Sequence, residues 1–269
     1  MKCDLCPRKC LVDRKKGEKG ICGQTENLKV ARAALHFWEE PCISGDAGSG
    51  AVFFSGCSLH CVFCQNENIA NGTVGKEISL ERLVDIFLEL QEKRANNINL
   101  VTPGHFVPQI VKALDQARKE GLTLPVVYNT SSYETVDTIK MLEGYVDIYL
   151  PDFKYMSPVL SKKYSHAPDY AEVAKAAIAE MVRQTGKAVF VNGDEDNLIL
   201  SGTIVRHLTL PGCMADSMQI LKYLHDTYGD MIYISIMNQF TPLSNLEKYP
   251  ELNRRITDEE YETLVDYAI

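Results

Sequence analysis

Three cysteines in the stretch GCSLHCVFCQN, Cys57, Cys61 and Cys64, form a C-x3-C-x2-C run. A closed tetrahedral metal site takes four ligands, whereas a metal or cluster that must keep a position free for a small molecule takes three. At these short spacings one loop wraps three thiolates around three corners of a cubane and leaves the fourth iron without a protein ligand. Simpler readings are a zinc site completed by His60 or Cys42, and thiols that act only as small buried apolar groups. A second group lies at the amino terminus, where CDLCPRKC and GICG give C-x2-C-x3-C-x11-C at Cys3, Cys6, Cys10 and Cys22. Four thiolates describe a closed site, which either zinc or a second iron–sulfur cluster satisfies. Cys42 can replace one of the four or line the main site, and Cys213 reads as a small buried or loop residue.

Eight of the nine cysteines precede residue 65, a usage that fits a reducing compartment where thiolates hold metal rather than pair. The start MKCDLCPRKC has no apolar signal-peptide core, and no run approaches the roughly 18–20 apolar residues of a membrane span. These features predict a cytoplasmic protein without a membrane partner. A formal net charge of -8 and the lack of a dense Lys/Arg block make nucleic acid a poor partner.

The positioning elements follow from periodicity. With 269 residues, 45% of them hydrophobic, the chain can bury one large α/β core beside a small appendage. Residues 1–50, rich in Cys, Gly and charge with little apolar periodicity, read as a metal-stapled extension, and residues 51–269 as the main domain. Short apolar runs at 51–54, 97–101, 125–128, 146–150, 205–210 and 232–237 predict six parallel strands. Amphipathic stretches at 80–94, 107–120, 134–142, 170–185 and 217–228 predict the crossover helices. A last helix in TDEEYETLVDYA has Thr257 and Glu260 spaced as a capping box, and FVNGDEDNLILSG at 190–202 predicts a turn or hairpin. The expected fold is α/β, an incomplete (β/α)6 TIM-like barrel whose chemistry gathers at the carboxyl ends of its strands. The cysteine triplet directly follows the first of these.

With Phe63 before Cys64, the triplet resembles the hallmark of the radical S-adenosylmethionine superfamily. WEEPCISG, GSGAVFFSGC, NINLVTP, YNTSSYE and YISIMNQFTP further resemble the branch related to the pyruvate formate-lyase activating enzymes, over nearly the whole chain. The resemblance implies that Cys57, Cys61 and Cys64 hold a 4Fe-4S cluster whose free iron binds the amino and carboxylate groups of S-adenosylmethionine. One-electron cleavage then yields a 5′-deoxyadenosyl radical that abstracts hydrogen, for this branch from a glycine of a glycyl radical enzyme. It also implies an electron donor such as flavodoxin or ferredoxin. Another peptide or a small molecule as substrate remains open, and the rival class is a non-catalytic metal-binding interaction protein.

Other site residues follow from the same resemblance. Where the superfamily carries Gly-Gly-Glu, this chain has TPGH, with Thr102 and Gly104 placed to meet the methionine ammonium and His105 to face either the substrate or the core. Asn129 and Ser131 in YNTSSYE offer side-chain oxygens, Asn129 standing where activating enzymes carry an Asp that holds a monovalent cation. Asp152 and Lys154 in LPDFKY match an Asp-x-Lys used near the substrate, and Arg206 matches an arginine that pairs with the methionine carboxylate. Asn238 and Gln239 end the sixth strand, from which this fold contacts the nucleoside. His207 and Met237 read as packing residues. Because VDYAI ends within a helix-like run, further cover of the site beyond Ile269 is expected.

Overall fold

The computed structural model describes residues 2–194, 197–244 and 246–269. In chain order the elements are β1 (Lys29–His36), α1 (Pro41–Ser44), β2 (Ser49–Phe54), α2 (Glu67–Ala70), β3 (Lys76–Glu77), α3 (Leu80–Glu92), β4 (Ile98–Val101) and α4 (Val107–Lys119). They continue with β5 (Val126–Thr130), α5 (Val136–Lys140), β6 (Ile148–Pro151), α6 (Pro158–Ser165), α7 (Tyr170–Thr185), β7 (Val189–Phe190), β8 (Ile199–Leu208), α8 (Met214–Tyr228), β9 (Tyr233–Met237) and α9 (Asp258–Ala268).

The strands join in the order β3-β1-β2-β4-β5-β6-β8-β7, with β9 also paired to β8. The six strands expected from the sequence, β2, β4, β5, β6, β8 and β9, pair in parallel and in that order. The sheet is mostly parallel and does not close into a barrel. β1 and β3 run antiparallel at one side, so residues 29–36 of the cysteine-rich segment belong to the sheet. The turn expected at 190–202 connects the antiparallel pair β7 and β8, and its residues 195 and 196 lie outside the described residues.

Alternation along each strand divides the core. Val126, Tyr128 and Tyr149 face the layer built with α3 and α4, whereas Val127, Ile148, Leu150 and Ile204 face the barrel interior. Ile43 of α1 packs with that inward set, and the Asn96 and Asn97 side chains just before β4 donate to the Ser44 and Ile43 carbonyls, so the β1–β2 connection covers the inward face near the amino-terminal end of β4. Helix starts are held by side-chain caps: Ser79 on α3, Thr135 on α5, Ser157 on α6 and the expected Thr257/Glu260 box on α9. Among the described residues no helix is long and apolar enough to cross a membrane.

His207 is buried between Phe153 O, 2.7 Å from Nδ1, and Ser217 Oγ, 2.9 Å from Nε2, and burial lowers its pKa from 6.5 to about 4. The unfolded chain binds a proton in this interval that the folded chain refuses, so stability is lost as pH falls from 6.5 towards 4. The loss expected from this one residue is about 3 kcal/mol. His207→Gln should flatten that part of the pH profile in urea unfolding; an unchanged slope would show that the ring is already charged in the fold.

Candidate functional site

The loop after β2 carries Cys57, Cys61 and Cys64, and each sulfur meets a hydrogen-bond donor. The Leu59 N–H donates to Cys57 Sγ (3.4 Å), the Ser165 hydroxyl to Cys61 Sγ (3.0 Å), and the Asn66 N–H approaches Cys64. Burial raises Cys61 to about 12, with Cys57 and Cys64 adding as neighbouring charges while the Lys154 ammonium opposes the rise. Burial raises Cys64 as well, so these two thiols are protonated until a metal displaces their protons. Leu59 and Phe63 bury the loop against Phe240, whose ring lies 6.0 Å from that of Phe63.

Lys154 leads into a chain of buried charges. Its Nζ donates to Asp152 Oδ2 (2.6 Å), and Arg206 Nε donates to Asp152 Oδ1 (2.9 Å). Arg206 Nη2 reaches Asn129 Oδ1 (2.7 Å) and Nη1 reaches Glu39 Oε2 (3.4 Å), while Asn129 Nδ2 donates to Glu39 Oε2 (3.0 Å). The four charged side chains are only 11–16% exposed. Burial opposes the charges of Asp152, Lys154 and Arg206, but pairing wins: Asp152 lies below its ordinary pKa, and Lys154 and Arg206 lie above theirs. All the nitrogens of the Arg206 fork are thus engaged within the protein.

Thr102, Gly104, His105 and Ser131 line one small cavity together with Cys57, Ser58, Thr130, Tyr133, Glu134 and Cys6. Thr102 has φ +55°, Ser132 +63° and His60 +52°, so three loops at the strands' carboxyl ends each hold a residue in the left-handed region. Such conformations cost roughly 1–3 kcal/mol each and concentrate at functional sites. A Cβ on Gly104 would stand 2.6 Å from Glu134 Oε2, so a side chain there would displace the buried Glu134 carboxyl. The Glu134 carboxyl is fully buried, accepts from the Tyr128 hydroxyl (2.7 Å) and from Thr130, and has its pKa raised by burial.

His105 points into the core. Its Nε2 lies 2.7 Å from Ser55 O, burial lowers its pKa to about 4, and its own carbonyl accepts from Arg14. Asn238 and Gln239 are exposed and line a separate polar cleft beside β9 with Glu39, Glu40, Ser235 and Arg206. Arg206 alone among the residues expected from the sequence touches both the buried network and this cleft.

Sequence reasoning missed Glu39, Glu134, Ser165 and Tyr170. Glu39 and Glu134 lie in WEEPCISG and YNTSSYE, but their signal is only a carboxylate in a quoted motif. Ser165 lies outside the helical patterns expected from the sequence and Tyr170 begins one of them, neither with any such signal. The Tyr170 hydroxyl sits 2.8 Å from the carbonyls of both Ser131 and Asp152, tying two strand-end loops together.

The donor set fits a cubane with one open iron, since one half-buried loop carries three thiols with a donor at each sulfur. Among the described residues no three His, Cys, Asp or Glu side chains are gathered tightly enough to grip a single metal ion, a condition that the spaced corners of a cubane do not impose. For a polar small molecule, Asn99 is the second fit: it is fully buried on the inward face of β4, and neither amide atom has a partner.

A model of the Radical SAM superfamily matches residues 51–197. The chain is 27% identical over 275 residues to the uncharacterized protein MJ0674 of Methanocaldococcus jannaschii, covering 99% of this chain and 74% of that one. Its fold is similar to HydG, a maturase of the FeFe hydrogenase, with TM-score 0.51 and 14% identity over 78% of this chain and 46% of that structure. It is also similar to methylornithine synthase, PylB, with TM-score 0.53 and 14% identity over 79% and 59%. The chain thus spans roughly half the length of these two structures, and at such identity the likeness is one of fold.

Proposed function

This chain belongs to the Radical SAM superfamily, and from that premise we propose that Cys57, Cys61 and Cys64 hold its 4Fe-4S cluster and that its substrate is a glycine within a partner protein. Membership implies the cluster and S-adenosylmethionine as cofactors. When bound, the pair supplies one-electron cleavage of the sulfonium to a 5′-deoxyadenosyl radical that abstracts hydrogen from the substrate. The observation that carries the assignment is the loop itself: three thiols, one donor on each sulfur, with the Lys154 ammonium behind Cys61.

The chain's own residues bind, orient and exclude water. Ser165 and the two N–H groups spread charge off the sulfurs, and Leu59, Phe63 and Phe240 keep solvent from the loop. Thr102, Gly104, Ser131 and Glu134 form the cavity beside Cys57 that takes the methionine ammonium, Glu134 supplying the carboxylate absent from TPGH. Because the Arg206 guanidinium is held by Asp152, Asn129 and Glu39, it stabilises a methionine carboxylate from a fixed position rather than swinging to it. Asp152 and Lys154 set the charge between this network and the cysteines. Asn238 and Gln239 line the cleft on the nucleoside side.

A peptide substrate is favoured by Trp38. It is 88% exposed at the rim of the polar cleft, where a protein segment can cover it as it enters. The resemblance to the glycyl radical enzyme activators points the same way.

Anaerobic reconstitution with iron and sulfide, then dithionite and S-adenosylmethionine, tests the reading by chromatography for 5′-deoxyadenosine. A candidate partner protein labelled with deuterated glycine is expected to pass deuterium into that product. Product without deuterium would redirect the substrate to another peptide or a small molecule. A loaded, reduced protein that forms no product even with candidate partners would favour a metal-binding interaction module.

Gly56, the residue before Cys57, has φ +91°, and a Cβ there would collide with the Cys22 carbonyl. Gly56→Ala is expected to cost at least about 1–2 kcal/mol from the left-handed backbone alone, and to loosen the amino-terminal segment from the cysteine loop. Limited proteolysis should then release that segment sooner than in the parent; equal protection would mean that the contact is dispensable.

A further inference from the structure

We propose that Cys3, Cys6, Cys10 and Cys22 bind a second iron–sulfur cluster, seated against the Cys57–Cys64 loop so that single electrons from an external low-potential donor reach the radical site through it. The proposal rests on the reading of Cys57, Cys61 and Cys64 given above and adds the route by which their centre is reduced.

The backbone gathers the four cysteines: the Cys3 N–H donates to Val12 O (2.9 Å), the Leu11 N–H to Cys3 O (3.0 Å) and the Lys9 N–H to Cys6 O (3.0 Å), while Cys10 Sγ packs against Gly20, two residues before the buried Cys22. Their sulfurs are furnished like those of the main loop: the Ile21 N–H donates to Cys10 Sγ (3.3 Å), and the N–H groups of Arg8 and Gln24 approach Cys6 and Cys22. Such donors steady thiolate charge around a cluster.

The two groups also touch. The Cys22 carbonyl packs on Gly56, and His60, between Cys57 and Cys61 in sequence, has Nε2 2.8 Å from Ile21 O. Arg8 spans the junction, its Nε donating to Ser58 O (2.9 Å) and its Nη2 to Ser165 O (3.1 Å), while the Ser165 hydroxyl bonds Cys61. Cys6 and Cys57 line the same cavity.

An aromatic stack runs beside this junction. Tyr133, next to Cys6 and beneath Arg8, stacks on Tyr170 at 6.2 Å and 15°. Tyr170 meets Tyr155 at 5.4 Å, and the Tyr155 hydroxyl lies 2.8 Å from Ser165 Oγ. Three buried tyrosine rings therefore run from beside Cys6 to Ser165, whose hydroxyl bonds Cys61.

Each transfer is balanced: the external donor loses one electron, the amino-terminal cluster gains and then loses it, and the centre at Cys57, Cys61 and Cys64 gains it. No bond forms or breaks. Zinc, with a filled d shell, cannot take part, so metal identity decides the matter.

The test is iron, zinc and sulfide analysis with electron paramagnetic resonance of the full chain, reconstituted anaerobically and reduced with titanium(III) citrate. The parent is expected to hold about eight irons, two 4Fe-4S clusters, with spectra broadened by coupling between the two reduced centres. A Cys57→Ala, Cys61→Ala, Cys64→Ala variant leaves the amino-terminal group untouched and should keep about four irons and show one uncoupled signal. Zinc in place of iron in that variant would overturn the proposal, as would two reduced clusters in the parent with no coupling. A variant that keeps its four irons and coupled-signal parent, from a protein that forms no 5′-deoxyadenosine, would sustain the second site while sinking the radical reading.

Discussion

Replacing Cys61 with Ala is expected to abolish both the cluster at the β2 loop and 5′-deoxyadenosine formation, to the background of a protein-free control. Two thiolates cannot hold three corners of a cubane. Cys61 is also the sulfur most tightly built in: it accepts from Ser165, neighbours Lys154, and packs with the core that includes Leu59 and Phe63. Ser165→Ala removes the donor to Cys61 and the partner of the Tyr155 hydroxyl but leaves all three thiolates, and a loss of roughly 10–100-fold in cluster retention or activity is expected, the usual scale for an outer partner of a metal ligand. Iron content per chain and product chromatography read both variants. Full product from the Cys61 variant would show that the thiolates of this loop are not the cluster's ligands.

Arg206→Met is expected to destabilise the reconstituted protein by about 3–5 kcal/mol, the cost of leaving a buried charge without its partner. Asp152 keeps Lys154, but Glu39 loses its guanidinium partner and retains the Asn129 amide and the His36 ring, 3.9 Å from its Oε1. Adding Glu39→Gln should recover part of the loss, because the two residues are coupled and the stranded charge is then gone. Anaerobic urea unfolding measures this; a cost under about 1 kcal/mol would mean that the network behaves as a solvated surface. The acid limit has a definite sign. Asp152 has its pKa depressed by its ion pairs, so its contribution is present above the ordinary value of 3.8 and is lost as pH falls through the lower folded value.

Local signals made much of the fold readable. β5 (VVYNT) is buried at every residue and opens with the apolar run Val126, Val127 and Tyr128, and α3 shows its apolar stripe and Ser79 cap within one short stretch. β1 escaped notice because KVARAALH is only partly buried and carries charges along an antiparallel edge, so neither a continuous run nor a clean alternation marks it. α6 is short and weakly amphipathic, and its eight residues blend into the loops around it.

The sequence by itself determined the six strand segments, the Thr257/Glu260 capping box and the cysteine spacings, since each depends on residues within a few positions of one another. It also singled out Asp152, Lys154 and Arg206 as residues at strand ends. Only the tertiary structure decided their partners. Glu39 reaches Asn129 across 90 residues of chain and Arg206 across 167, and Arg8 meets Ser58 across 50. No local periodicity encodes such pairings. They exist because parallel strands bring their carboxyl ends together, because the β1–β2 connection packs Ile43 among inward-facing side chains, and because a buried charge left alone there would be too costly to keep.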